Sequence, residues 1–177
     1  LASGGNVLPR HDAVVFDEAH GLAEVATGAL GLDLAPQGIR QLASRLGRVG
    51  VASGETAPLA LAADALERAL GDSDGRVDPT EGALAAALTA AAERLATATL
   101  TIDAKGDPTA AGQATQLAAA RLEALRRLQS PSPGEVAWIE GSALHLAPVS
   151  VAERLRELLF AHVPVVLLSA TLGTLTS

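Results

Sequence analysis

The sequence predicts an α/β fold that is predominantly helical, in which two parallel strands flank an inserted helical bundle and a β-hairpin. Hydrophobic residues make up 49% of the chain but aromatic residues only 2%. This balance, dominated by alanine and leucine, suits closely packed helices better than a β-sandwich. Short continuous apolar segments stand near both ends, at 12–17 and 165–169, as is typical of buried parallel strands.

Helical periodicity and helix-breaking residues organise the middle of the chain. We expect helices at 22–30, 35–50, about 56–70, from 78 through Leu95, from 106 to about 128 and at 150–162. "DPTE" and "GDPT" are predicted helix starts, with Asp78 as a cap, Pro79 in the first turn and Glu81 reaching back. Residues 71–77 are predicted to be a loop. Segments on either side of Gly141 and Ser142 predict a β-hairpin, and Ser150 is expected to cap the last helix.

Composition excludes several classes of site. The chain has no cysteine, so these residues can build no disulfide, thiolate metal site or iron–sulfur cluster. The absence of cysteine does not indicate in which cellular compartment the protein lies. Net charge is −7, with 13 basic and 20 acidic residues, whereas a free-standing nucleic-acid binder is usually basic. Any contact with DNA should therefore use a local basic face. The four histidines show no paired ligand spacing.

The ends of the chain favour a piece of a longer polypeptide. It starts at Leu1, contains no methionine and stops just after a motif. We find neither a run of about 18 apolar residues nor a basic-then-apolar leader, so we expect no membrane span and no signal peptide.

Acidic residues follow the first predicted strand in "VVFDEAHGL", residues 14–22. In open α/β sheets, ligands bind at the carboxyl ends of the strands. There Asp17 is expected to hold Mg²⁺ through water, Glu18 to orient the water that attacks the γ-phosphate of ATP, and His20 to link the site to neighbouring segments. The plainer alternative is a strand followed by a helix start, where the two acids favour the helix dipole.

Hydroxyl residues follow the second predicted strand in "VVLLSATL", residues 165–172. On their own, Ser169 and Thr171 would be no more than a helix cap. Two apolar strands of this type should pair in parallel, which brings both polar segments to one sheet edge. The two segments together therefore favour a nucleotide site.

These segments resemble those of a known family. "LPRHDAVVFDEAHGL" resembles motif II, the DEAH box, of DinG/XPD-like superfamily 2 helicases, and "VVLLSATL" resembles their motif III. The segment that begins "VAWIEG" is similar to the one that leads into motif III in DinG-like proteins. The resemblance is strong over residues 7–22 and 135–172 and weak between them.

Family membership implies an ATP-dependent DNA helicase that translocates 5′ to 3′ along single-stranded DNA, in repair or replication. It implies that residues 1–21 and 150–177 belong to a RecA-like motor domain and that 22–149 form an Arch-like insertion. Asp17 would bind Mg²⁺ and Glu18 would orient the attacking water. His20 would couple hydrolysis to DNA, and Ser169 and Thr171 would join the two motifs. An iron–sulfur cluster in the full-length protein would need cysteines that precede the DEAH box. The expected location is cytoplasmic.

Parts of an ATPase are absent from this sequence. The phosphate-binding loop GxxxxGK[ST] needs a lysine after glycines, and the single lysine, Lys105, stands in "DAKGDP". The arginine finger of a second motor domain is missing too. We therefore expect the 177 residues to bind ATP poorly and to hydrolyse none, until the remainder of the helicase chain is added.

Two alternatives come from the helical region. One alternative is a regulatory helical module that only docks a partner. The other is part of an RNA-directed DEAH helicase, which the long insertion disfavours. Arginines on two predicted helices either track DNA phosphates or lie on solvated faces, which the acidic balance favours; they are Arg40, Arg45, Arg48, Arg121, Arg126 and Arg127. Trp138 either stacks on a base or, as we expect, fills a core.

Overall fold

The structure, a computed structural model, describes residues 12–72, 74–102 and 107–170. In chain order the elements are β1 (Val14–Phe16), α1 (Leu22–Leu30), β2 (Leu32–Leu34), α2 (Pro36–Arg48), α3 (Ser53–Leu70), β3 (Gly75–Val77), α4 (Gly82–Leu100), α5 (Pro108–Gln129), β4 (Glu135–Glu140), β5 (Ala143–Pro148), α6 (Ala152–Leu155) and β6 (Val165–Leu167). A 3₁₀ turn, Ala19–Gly21, follows β1.

The chain divides into two compact units. Of the described residues, the first contains 12–32 and 147–170, and the second lies within Asp33–Leu146. The sequence-based division at 21/22 and 149/150 groups α1 with the insertion, whereas the structure groups it with β1. The assignment of the two units to a motor domain and an insertion stays a prediction.

In the first unit, α1 and α6 share a small apolar core. Ala26 packs with Val151 and Leu155, and Leu22 and Leu30 pack against this cluster. The amphipathic pattern of residues 150–162 accounts for one side of this packing, because Val151 and Leu155 lie on the same apolar face.

The predicted single helix at 150–162 is shorter and less regular than expected. After α6 the chain continues as a π-helical segment, Arg156–Phe160, in which Ala161 N donates to the Arg156 carbonyl, five residues back. Ser150 Oγ accepts from Ala152 N at 3.4 Å, which is long for a cap. Apolar periodicity cannot distinguish such a segment from an α-helix.

The second unit is a four-helix layer with a leucine- and alanine-rich core. Helix α3 packs against α2 and α4, α4 packs against α5, and α2 also contacts α5. Alanines at the helix interfaces are fully buried, among them Ala63, Ala91 and Ala114, so the helix backbones can approach closely. The large fully buried side chains are Leu34, Ile39, Leu42, Leu46, Leu59, Leu66, Leu88, Leu95, Leu125, Leu128, Leu144 and Leu146.

A four-stranded sheet of order β2-β5-β4-β3 accompanies these helices. The predicted hairpin is present as β4 and β5, joined by Gly141 and Ser142. Strands β2 and β3 were not predicted, since three residues carry too little periodicity. The expectation that Trp138 fills a core is wrong: it is half-exposed and stacks on His145.

The two helix starts that looked alike in sequence differ. Asp107 caps α5, since its carboxylate accepts from Thr109 N and Ala110 N at 2.9 and 3.1 Å. The prediction for Asp78 is wrong, because its carboxylate accepts from the amide and hydroxyl of Thr80 and so closes a turn. Helix α4 begins only at Gly82, whose φ of +62° suits glycine.

The predicted α/β, mainly helical fold with parallel and antiparallel strands is therefore confirmed. Among the residues that the structure describes, no helix has the length and apolar character needed to cross a bilayer.

Candidate functional site

Strands β1 and β6 pair in parallel, as predicted, with Val14 opposite Val165, Val15 opposite Val166 and Phe16 opposite Leu167. Their β-branched and aromatic residues favour extended backbone. In a parallel pair both carboxyl ends lie at the same edge. The segments that follow the two strands, 17–20 and 168–170, therefore leave the sheet together.

Backbone hydrogen bonds extend this pairing past the strands. Leu168 N donates to the Phe16 carbonyl, and Ala19 N donates to the Leu168 carbonyl, both at 2.8 Å. These bonds hold the DEAH segment against the segment that carries Ser169. The roles of Ala19 and Leu168 could not be predicted from the sequence, since a backbone contribution needs no particular side chain.

Asp17 is the first residue after β1 and its side chain is exposed. One carboxylate oxygen, Oδ1, accepts from the amide of Glu18 at 2.9 Å, which fixes the carboxylate at the end of the strand. A single carboxylate of this kind is suited to Mg²⁺, because Mg²⁺ keeps most of its water ligands and is bound mainly by the phosphates of its ligand. No group of three acidic, histidine or cysteine side chains that would enclose a metal occurs within the described ranges.

Glu18 has a left-handed backbone, with φ 51° and ψ 47°. This conformation is uncommon for a residue other than glycine, and such residues cluster at functional sites. It turns the chain from β1 into the 3₁₀ turn, in which Gly21 N donates to the Glu18 carbonyl at 3.0 Å. The side chain stays 65% exposed and is free to face a ligand at the sheet edge.

His20 connects the two polar segments through one ring nitrogen. Its Nδ1 lies 3.2 Å from Ser169 Oγ and also 3.2 Å from Glu18 Oε2. The carboxylate can only accept a hydrogen bond, so the geometry favours a proton on Nδ1, shared between the carboxylate and the hydroxyl oxygen. His20 thereby links Glu18 to Ser169.

The structure thus brings together Asp17, Glu18, His20 and Ser169, four of the five residues singled out from the sequence. Thr171, the fifth, lies outside the described residues. The cluster is an open edge: the first three side chains are exposed and Ser169 is half-buried. An open edge of this kind can bind and orient a ligand but does not by itself exclude water.

The helix arginines considered for DNA contacts are mostly engaged within the protein. Arg40 binds Asp64 and Glu67, and these hydrogen bonds raise the pKa of its guanidinium above the ordinary value. Arg127 binds Glu135, and Arg121 donates to the backbone carbonyl of Asp33 at 3.2 Å. Their contacts favour a structural role over phosphate tracking.

No protein-family model and no curated protein sequence matches the chain. Comparison with solved structures does give a match. The fold resembles that of an XPD helicase. The match has a TM-score of 0.56 and 17% sequence identity. It covers 90% of this chain but 27% of the XPD helicase chain. The expected helicase-like fold is confirmed, whereas membership of the DinG branch stays a prediction.

Proposed function

We propose that this chain is part of an ATP-dependent DNA helicase of the DinG/XPD-like type, which couples Mg²⁺-ATP hydrolysis to 5′-to-3′ unwinding in DNA repair or replication. The observation that carries the proposal is the contact between His20 and Ser169, residues 149 positions apart in sequence. It joins the two segments that resemble motifs II and III. The helicase-like fold supports it independently.

In the proposed site each residue has one role. Asp17 holds Mg²⁺ through water, and Glu18 orients the attacking water and accepts its proton. His20 passes the state of the nucleotide to the neighbouring segment through Ser169, and Thr171 assists in joining the motifs. Mg²⁺ would supply charge neutralisation on the β- and γ-phosphates. The first unit would belong to the motor domain and the second would be the Arch-like insertion. The partners would be single-stranded DNA and the remainder of the helicase chain, and the location would be the cytoplasm.

The uncovered sheet supports a site that other residues complete. Val15, Val166, Leu167 and Leu168 are 41–60% exposed, although parallel sheets are normally covered on both faces. More strands and helices of a motor domain would bury this surface. The phosphate-binding loop and arginine finger would come with them.

Substitution of Glu18 in the full-length helicase tests the proposal. Glu18→Gln keeps the size of the side chain but cannot accept a proton, so ATP binding should persist while hydrolysis falls about 100-fold or more and unwinding stops. Glu24→Gln, the same change at an exposed position on α1, is the control. Unchanged ATP turnover in Glu18→Gln would remove Glu18 from its proposed role.

A further inference from the structure

One face of the four-stranded sheet carries a row of side chains that the proposed ATPase site does not use. Strand β3 pairs antiparallel with β4, and Arg76 stands directly opposite Trp138. On the other side of β4, Trp138 stacks on His145 of β5, with ring centroids 5.1 Å apart and planes at 17°. Directly opposed residues lie on the same face of a sheet, so the order across the sheet is Arg76, Trp138, His145.

This row lies on the face away from the apolar core. The alternating residues Ala137, Ile139, Leu144 and Leu146 are buried, whereas Trp138 and His145 are half-exposed and Arg76 is exposed. A large aromatic side chain kept half in solvent on a strand is available to a ligand. Because β4 lies between β5 and β3, the face of the indole that points away from His145 is on the side of β3 and Arg76.

Arg76, unlike Arg40 and Arg127, has no ion pair with any other described residue. Its guanidinium is therefore available for an anion or for a planar ring. Acidic groups lie at the hairpin end of the sheet: Trp138 Nε1 donates to Glu140 at 3.4 Å, and Asp74 accepts from Gly141 N at 2.8 Å. A phosphate of the ligand should therefore contact Arg76, the basic residue of the row, rather than the hairpin end.

We propose that Arg76, Trp138 and His145 form a stacking platform for a base of single-stranded nucleic acid. The base would stack on the indole of Trp138, whose other face packs against His145, and Arg76 would contact the adjoining phosphate. Four-stranded sheets with exposed aromatic side chains bind bases in this way, and such stacking tolerates any base. The choice of nucleic acid as the ligand rests on the proposed function, but the platform is separate from the ATPase site.

The net charge of −7 predicts that binding is weak and sensitive to salt. Measurements therefore belong at low ionic strength, about 20–50 mM, where surface charges are least screened. Trp138 is the single tryptophan of a chain without tyrosine, so intrinsic fluorescence reports on the platform alone.

The experiment titrates the 177-residue chain with a 12-mer of deoxythymidine, an abasic 12-mer of equal charge and a 12-mer of uridine. Tryptophan emission should be quenched by the two strands that carry bases and not by the abasic strand. Preference for deoxythymidine or uridine identifies DNA or RNA as the source of the base. Equal quenching by the abasic strand, or no quenching at all, overturns the platform.

Variants separate stacking from charge, with fluorescence anisotropy of labelled DNA as the readout. Trp138→Ala should weaken binding about 5- to 150-fold, the range for loss of one stacked base, and Trp138→Phe should restore most of it. Arg76→Ala should lower the slope of log K against log salt by about 0.7, whereas Arg94→Ala on α4, an exposed arginine outside the row, should leave it unchanged.

Circular dichroism and thermal melting of each variant show whether Trp138→Ala leaves the hairpin folded. Wild-type affinity in Trp138→Ala, or equal effects of Arg76→Ala and Arg94→Ala, contradicts the proposal. Such a failure is distinct from failure of the proposed function, which is decided by ATP turnover of Glu18→Gln.

Discussion

The Nδ1 atom of His20 lies 3.2 Å from the hydroxyl oxygen of Ser169, and the backbones on either side are joined by the bond from Ala19 N to the Leu168 carbonyl. The side-chain contact thus sits on a backbone arrangement that holds it in register. Since Glu18 Oε2 is at the same distance from Nδ1, a change at the carboxylate can reach the second segment through one ring.

Under the proposed function, this contact predicts that His20 and Ser169 act as a pair in the full-length protein. His20→Ala and Ser169→Ala should each lower unwinding more than ATP binding. The double variant should be no worse than the more severe single variant, because residues in contact show coupling of about 0.5–3 kcal/mol. The coupling is measured from the rates of ATP hydrolysis and strand separation of the wild type, the two single variants and the double variant.

Ser150→Ala is the control for that cycle, since Ser150 belongs to the same unit and its hydroxyl is exposed. Its effect should add to that of His20→Ala. Simple additivity for His20 and Ser169 as well would show that the two side chains act independently.

The core of the second unit predicts a large effect of truncation at Leu88. This side chain is fully buried on α4, between α3 and α5. Leu88→Ala should lower the free energy of unfolding by about 2–5 kcal/mol, because it removes apolar contacts and leaves a cavity. Leu61→Ala, at a side chain that is 65% exposed, should change it by less than about 0.5 kcal/mol. Urea unfolding followed by circular dichroism compares the two, and equal losses would contradict the packing described.

The cap of α5 predicts a smaller loss at Asp107. Its carboxylate accepts from two backbone amides of the first turn. Asp107→Ala should lower the free energy of unfolding by about 1 kcal/mol, and Asp107→Asn by less, because asparagine also caps well. Thermal melts of the three proteins test this order. An alanine variant as stable as the wild type would show that the cap contributes nothing.

The turn before α4 predicts a dependence on pH. Hydrogen bonds from the hydroxyl and amide of Thr80 lower the pKa of Asp78 below its ordinary value. A lowered pKa adds stability above the ordinary value of about 3.9, and this is lost as pH falls through the lowered pKa. Asp78→Asn should therefore be less stable than wild type at pH 7 and equally stable in strong acid. A difference that persists in acid would mean that the charge of Asp78 is not its cause; Asp72→Asn controls for loss of a nearby charge.

Much of the fold could be predicted because it depends on local pattern. Helix α2 follows from the apolar periodicity of Ile39, Leu42 and Leu46, and the hairpin follows from the two-residue turn at Gly141 and Ser142. Strands β2 and β3 could not be predicted, since these short segments are extended only because they pair with distant strands. The start of α4 was misplaced because Asp78 has two competing hydrogen-bond arrangements, a cap and a turn, with the same sequence signature.

The candidate site was predictable for a different reason. Parallel pairing of two apolar strands brings the residues after them to one edge, whatever lies between, so Asp17 and Ser169 could be related across the chain. The left-handed backbone of Glu18 left no signal in the sequence. The row of Trp138 and His145 did leave one: a two-residue turn after Glu140 places position 138 opposite 145.

The candidate site depends on the parallel pairing of β1 and β6, and an engineered disulfide can probe this pairing, since the chain has no cysteine of its own. Val15 and Val166 are direct partners and both are exposed. Neighbouring strands are about 4.8 Å apart, within the reach of a disulfide. Leu168 is two residues beyond Val166, which places its Cα about 8 Å from that of Val15.

Under mild oxidation we therefore expect Val15→Cys with Val166→Cys to form an intramolecular disulfide, seen as a shift in non-reducing electrophoresis and a mass loss of two hydrogens. Val15→Cys with Leu168→Cys should remain largely reduced. Efficient cross-linking of the second pair in preference to the first, or of neither, would contradict the parallel register on which the proposed nucleotide site depends.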